Sequence, residues 1–399
     1  MSISKPVLCC KDQAVLLLSI DDETGEVVDI DLVGDSRLLP IMLQDSDLTV
    51  SNVNAYFDKR RIPKNRDGLA DAEELFHGFR ESEQNRNMFS LTDQYWLMYN
   101  KRESWSKLNF FTNRYSQAPG RIFFEPWTIT KEEAYLQNPD ITTNGNLRKR
   151  WVQNEDLTSS LIKMPSMETT KSGLRQGPLC EVLASMLLEK IGFKDFVKYR
   201  FCIDGLSFCS KCDNFITRDT EFVPMAHVFN KIPYDKKKSI LAHIDMVSAK
   251  YGVKNAMRFL NNMIVADMYI GNYDRHIGNF GFIRYIGGAG SEELGGNEYP
   301  MGSIIGFAPI FDFGSAFWIN AEAGLEPRAY RMISEKEREK ACEKFFRKNR
   351  IEKPDLSDMF DIIDKYPFLP KEKRQEMKEN ISRCVTKMDQ IQEKIQKMR

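Results

Sequence analysis

The chain has 399 residues, room for roughly two or three domains, and its 42% hydrophobic and 29% charged content is that of a globular protein whose core needs no disulfide or metal staple. Lys plus Arg is 57 and Asp plus Glu is 57, so the formal net charge is zero, and the basic surplus of a nucleic-acid binder is missing. No apolar run reaches the length of a membrane span, no cleavable leader precedes the apolar stretch 14–20, and eight scattered cysteines make no disulfide framework, which together imply a reducing cytoplasm and no membrane contact.

In chain order, PVLCC (6–10) and AVLLLSI (14–20) read as strands, and DDETGEVV (21–28) as a hairpin turn. The stretch 47–63 has helical spacing, with Val50, Val53, Tyr56 and Phe57 on one face and Pro63 beyond its end. SLTDQYWLMYN (90–100) reads as a short helix capped by Ser90 or Thr92. APGRIFFEPWTI (118–129), edged by Pro and Gly, reads as a link to the next unit. Three basic runs, 59–61, 148–150 and 236–238, are read as solvated faces.

From 140 the pattern becomes strand, strand, helix, strand, strand. A glycine turn at Gly145 precedes the first strand, and SSLIKMP makes the second, ending in Lys163. An amphipathic helix follows, with Leu179, Val182, Leu183, Met186, Leu187 and Ile191 at helical spacing and Gly192 at its end. DFVKYRFCI and LSFCSKCDNFI are the next strands, joined by a tight Asp-Gly turn. CSKC has the gap of one zinc knuckle, but Cys202, Cys209 and Cys212 find no fourth ligand in the sequence and are read as buried thiols. Beyond 235 the chain is mainly helical. Two strands, GFIRYI and SIIGFAPIF, interrupt it, separated by a glycine-rich loop (287–302) that should be exposed and mobile. In the last helix Ile381, Val385, Met388, Ile391 and Ile395 form one stripe, expected to dock on the main body.

Three polar clusters carry the chemistry. Asp274 is followed five residues later by Asn279, Asp312 closes an apolar strand as Asp-Phe-Gly, and Lys163 on a strand precedes Glu181 on the next helix. Phosphoryl transfer from ATP needs these parts: a carboxylate beside the attacking hydroxyl, an Asn and an Asp for magnesium, and a lysine on the phosphates held by a glutamate. Protein kinases space the catalytic Asp and Asn in the same way and place Asp-Phe-Gly on a later strand. The aromatic set Phe280, Phe282, Phe311, Phe313 and Phe317 reads as core around a hairpin, and His276 as a structural hydrogen-bonder.

The protein-kinase tripeptide His-Arg-Asp is reversed here, as Asp274-Arg275-His276. With Asp267, Asn272, Asn279 and the stretch APIFDFGSA, this resembles the HipA-like kinases, bacterial serine/threonine kinases of toxin–antitoxin pairs. The resemblance spans roughly residues 140–330. It implies Asp274 as catalytic base, Asn279 and Asp312 as magnesium ligands, and Lys163 with Glu181 at the nucleotide phosphates. It further implies Asp213, Asn214 and Phe215 as the hinge that meets adenine, and Gly145 in the phosphate-covering loop; Asp267, one helical turn before the catalytic loop, reads as its brace rather than as a metal ligand. ATP and Mg2+ are the implied cofactors, a protein serine or threonine the implied acceptor, and an antitoxin-like protein the implied kind of partner. Autophosphorylation at Thr142 or Thr143, beside the loop, is a further expectation.

The expected architecture is α+β and two-lobed, protein-kinase-like: an N-terminal mixed segment (1–135) packing on a sheet-rich N-lobe (136–225), and a helical C-lobe (226–399). The alternatives are a nucleotide-binding interaction protein that transfers nothing, or a kinase acting on a lipid or small molecule.

Overall fold

A computed structural model describes residues 2–78, 86–165, 176–272, 274–287, 299–318 and 333–398. The first sheet is antiparallel and has five strands: β1 (Ile3–Ser4), β2 (Val7–Cys10), β3 (Gln13–Asp21), β4 (Val27–Leu32) and β5 (Tyr95–Met98). Helix α1 (Val50–Lys59), capped by Thr49, buries Val53, Tyr56 and Phe57 against it. β5 corrects the helix expected over 90–100. Cys9 and Cys10 of β2 offer an open ladder to Trp96 and Tyr95, and Asp93 turns the chain into it by accepting the Tyr95 N–H at 3.0 Å. A short apolar run does not distinguish the two states by itself.

The second sheet has the order β6 (Lys149–Gln153), β7 (Ser159–Lys163), β9 (Ser207–Asp213), β8 (Tyr199–Asp204). Helix α2 (Gly177–Lys190) connects β7 to β8 and packs on the sheet. It is not amphipathic as expected: every residue from Pro178 to Ser185 is buried, because the sheet lies on one side and helix α4 on the other. Cys209 and Cys212 sit three apart on β9 and so point to opposite faces, into two different clusters of buried residues. No zinc knuckle can form from them.

Beyond residue 235 the α-helices among the described residues are α3 (Ile240–Lys250), α4 (Ala256–Ile270), α5 (Glu335–Phe346), α6 (Ser357–Lys365) and α7 (Lys371–Lys397). A third sheet, β10 (Thr220–Pro224), β11 (Gly281–Tyr285) and β12 (Ile304–Phe307), packs among them. Ile381, Val385 and Met388 of α7 are buried against the body, with α7 lying on α4 and α5, so its stripe docks intramolecularly. Most of the glycine-rich loop between β11 and β12 lies outside the described residues.

The N-terminal segment grips both neighbours. Tyr115 meets Ser159 of the second sheet at 3.2 Å. Arg284 of β11, fully buried, bonds Glu221 at 2.6 Å, the Tyr95 hydroxyl at 3.0 Å and the Leu39 carbonyl at 3.1 Å. In two of the basic runs one arginine is buried rather than solvated. Arg60 is buried and paired with Asp93, and Arg150 is buried and held in a fork by Asp204 at 2.6 Å. Each arginine has a carboxylate to neutralise it, which a charge count along the chain does not show.

Candidate active site

Lys163 closes β7. Its register partners are Lys149 on β6 and Ser210 on β9, so the three side chains form one row across the sheet. Glu181 of α2 lies over that row: one oxygen takes the Lys163 ammonium at 2.5 Å and the other the Ser210 hydroxyl at 2.5 Å. Asp312 completes the group at 3.0 Å from Lys163. Burial pulls the ammonium pKa down, but Asp312 and Glu181 together outweigh it and hold the pKa well above its ordinary value. The same ammonium, against burial, drops the Asp312 pKa to about 2.

Asp312 reaches this position through a short splice. Ile310 forms an isolated parallel bridge with Phe196, and the Val197 N–H donates to the Ile310 carbonyl at 2.8 Å. The Asp312 N–H then donates to the Tyr199 hydroxyl at 3.2 Å, while the backbone turns left-handed (φ 65°) at Asp312 itself. Phe313, buried, packs edge-on against Tyr199.

The loop with Asp274 follows from how α4 ends. Gly271 adopts φ 57° and its N–H returns to Asp267 and Met268, the glycine stop of a helix. Asp267, one turn back, is fully buried and takes Arg275 at 2.9 and 3.0 Å and the Asn272 amide at 2.9 Å. Arg275 also donates to the carbonyls of Asn279 and Phe311, which ties the loop to the segment bearing Asp312. The Asn279 amide nitrogen donates to the Asp274 carbonyl at 3.1 Å, which leaves its oxygen to accept. Asp274 is exposed, yet desolvation by the surrounding protein raises its pKa; Asp312 adds to the rise and His276 opposes it. His276 accepts the Gly278 N–H at 3.0 Å.

Thus Lys163, Glu181 and Asp312 are in contact, and Asp274 and Asn279 share one braced loop beside them. The expected hinge residues follow at the end of β9. Asp213 ends β9 and is held by Arg200 at 2.7 Å, and the Asn214 N–H is already given to the Ser159 carbonyl at 2.9 Å. Phe215 joins Phe222 and Phe311 in an aromatic cluster, which places it one residue from Asp312 through packing. Gly145 adopts φ +97°, and a Cβ there would lie 2.3 Å from the Lys149 ammonium, so this position requires glycine. Thr142 and Thr143 are buried and donate to the Pro139 carbonyl at 3.0 and 2.9 Å, so neither hydroxyl is presented to an attacking group in this conformation.

Lys149 does not stand out in the sequence because it lies inside a basic run. It faces Lys163 directly, a like-charge pairing that costs stability. Lys163 has two carboxylates; the Lys149 ammonium donates to a neutral acceptor, the Asn144 carbonyl, at 2.9 Å. Burial, with Arg66 and Lys163 adding, lowers its pKa to about 7. Two ammonium groups thus face two carboxylates, but both carboxylates sit on Lys163, so Lys149 is the cation of the row placed to meet an anionic ligand.

Two strands, a helix with the paired glutamate, two more strands and then a braced Asp–Asn loop make a kinase-like fold. The chain is similar across 99% of its length to HipA of the Shewanella oneidensis MR-1 toxin–antitoxin system, solved with HipB and operator DNA (TM-score 0.51, 13% identity, 91% of that chain covered). It is also similar to the Helicobacter pylori proinflammatory kinase CtkA (TM-score 0.46, 18% identity, 63% of this chain and 94% of that one). The resemblance to HipA-like kinases read from the motifs is therefore borne out at the level of the fold. No family model matches the sequence, and no curated protein does. No helix among the described residues is long and apolar enough to cross a membrane.

Proposed function

We propose that the chain is a two-lobed, ATP- and magnesium-dependent kinase that transfers the γ-phosphate to a protein serine or threonine. The observation that carries this reading is the Glu181–Lys163–Asp312 contact beside the braced Asp274–Asn279 loop. The domains would follow the divisions 1–135, 136–225 and 226–399. Asp312, ionised at any ordinary pH, and the Asn279 amide oxygen are hard donors that suit magnesium. Magnesium, when bound, would neutralise phosphate charge. Lys163 would hold phosphate oxygens, with Glu181 fixing its direction. Asp213, Asn214 and Phe215 would border adenine, the Asp213 carbonyl and Phe215 backbone being the better placed since the Asn214 N–H is engaged. Asp274 would orient the acceptor hydroxyl and take its proton. The hydroxyl oxygen bonds to the γ-phosphorus, the bond from γ-phosphorus to the bridging oxygen breaks, and ADP leaves with that electron pair.

The test is intact-mass spectrometry of the chain, and of a serine/threonine-rich acceptor peptide, after incubation with ATP and magnesium. A phosphate-sized gain on either supports the reading. ATP bound but never consumed would reduce the chain to a nucleotide-binding module, and consumption only with lipid or small-molecule acceptors would change the substrate class. An antitoxin-like protein partner is proposed by analogy with the Shewanella complex; co-expression with a candidate partner and co-purification would test it.

Lys149 makes a second test. A bound triphosphate favours its charged form, so its pKa of about 7 should rise on binding. Above about pH 7 the free lysine must first take up a proton, so ATP affinity should weaken about tenfold per pH unit until the bound-state pKa is passed. Calorimetry from about pH 6.5 to 9 should show this slope together with proton uptake. Lys149→Met should abolish both; a slope that survives the substitution rules this lysine out as its source.

A further inference from the structure

The stretch 143–148 that leads into β6 is held from outside by residues of the N-terminal segment. Arg66 donates from Nη2 to the Thr143 carbonyl. The Asp67 N–H donates to the Asn146 carbonyl at 2.8 Å. The Asp67 carboxylate lies 3.5 Å from Arg148, and Gly68, at φ +79°, lets the Arg148 guanidinium lie where a Cβ would come within 2.8 Å of it. Three consecutive residues thus grip both ends and the middle of the loop. From inside, Lys149 donates to the Asn144 carbonyl.

Arg66 is only 3% exposed, stacks its guanidinium 5.7 Å from the Phe123 ring, and keeps Nε and Nη1 without a hydrogen-bond partner. Asp140, whose Oδ2 is likewise buried without a partner, is the carboxylate that offsets its charge, and Lys149 is a cation close enough to feel it. A buried arginine with unmet donors is costly wherever it serves packing alone. Its position at the loop gives it a use that packing does not.

We propose that Arg66, with Asp67 and Gly68, is a positioning clamp for the phosphate arm of the nucleotide site. The N-terminal segment then fixes the loop over Lys149 and Lys163, and nucleotide phosphates are bound tightly only while the clamp is closed. This rests on the kinase reading above. It assigns to the N-terminal segment a role in nucleotide affinity that no motif of the sequence carries. Arg66 acts through the loop, so the adenine end of the site does not depend on it.

The test compares ATP with adenosine in calorimetric titrations of the full chain, wild type beside Arg66→Met, Arg66→Lys and the milder Asp67→Asn. Loss of a charge-assisted positioning bond should weaken ATP binding about tenfold. Adenosine binding should stay at the wild-type value, Arg66→Lys should recover part of the loss, and Asp67→Asn should show the same split on a smaller scale. Equal weakening of both ligands would make the residues structural only and overturn the proposal, as would unchanged ATP binding in folded Arg66→Met and Asp67→Asn. If Arg66→Met fails to fold, Asp67→Asn decides alone by the same criterion. Wild-type protein that binds neither ligand would instead sink the kinase reading, and the clamp with it.

Discussion

Asp274→Asn is expected to lower phosphoryl transfer by about a thousandfold while ATP affinity stays at the wild-type value. General-base groups contribute about 10²–10⁴-fold, and an amide of the same shape cannot take the acceptor's proton. The fold around it should not notice. Asp274 is exposed, its backbone carbonyl still accepts the Asn279 amide, and the brace of Asp267, Asn272 and Arg275 does not use its carboxylate. Single-turnover transfer followed by intact mass, beside calorimetry with ATP and magnesium, separates the two quantities. Transfer at the wild-type rate would remove Asp274 from the mechanism, and loss of ATP binding would show a structural role instead.

Arg275→Met should cost about 3–5 kcal/mol of stability, a large part of what a domain has. The Arg275–Asp267 pair is fully buried, and methionine would leave Asp267 charged in the core with only the Asn272 amide beside it. It would also free the Asn279 and Phe311 carbonyls, so the loop and the Asp312 segment would lose the bonds that hold them together. Denaturant unfolding measures the cost. The double variant Arg275→Met with Asp267→Leu should recover much of the stability and none of the transfer activity. A single variant as stable as wild type would mean that the pair does not brace the loop.

The parts of the site that the sequence makes legible are those whose geometry is local. Asp274 to Asn279 is one loop, and Asp312 follows its strand directly, so spacing alone suggests their chemistry. The mix of strands and helices is readable too, because short apolar runs alternate with long ones from 149 to 285, although α2 itself, buried on all sides, has no 3.6-residue period. Lys149 is invisible because its meaning comes from the strand opposite, where register sets it against Lys163. Ser210 is hidden in the same way, behind a glutamate eighteen residues from Lys163 in one direction and itself twenty-nine residues on in the other. Arg66 is invisible for a longer-range reason, since the loop it holds begins 77 residues away. β5 is not legible as a strand because four apolar residues have no period, and the edge of β2 decides their state.

The double hold on Glu181 has one more consequence. Ser210 fixes one oxygen and Lys163 the other, and the helix that bears the glutamate is buried from Pro178 to Ser185. Many protein kinases are switched off by swinging this helix outward, which parts the lysine from the glutamate. Here the same swing would tear Leu179, Leu183 and Leu187 out of the core and strand two bonded oxygens in apolar surroundings. Such a helix is a fixed post, not a lever. Any throttle on the proposed kinase would have to act elsewhere, and the strap of chain above Lys149 is one such place.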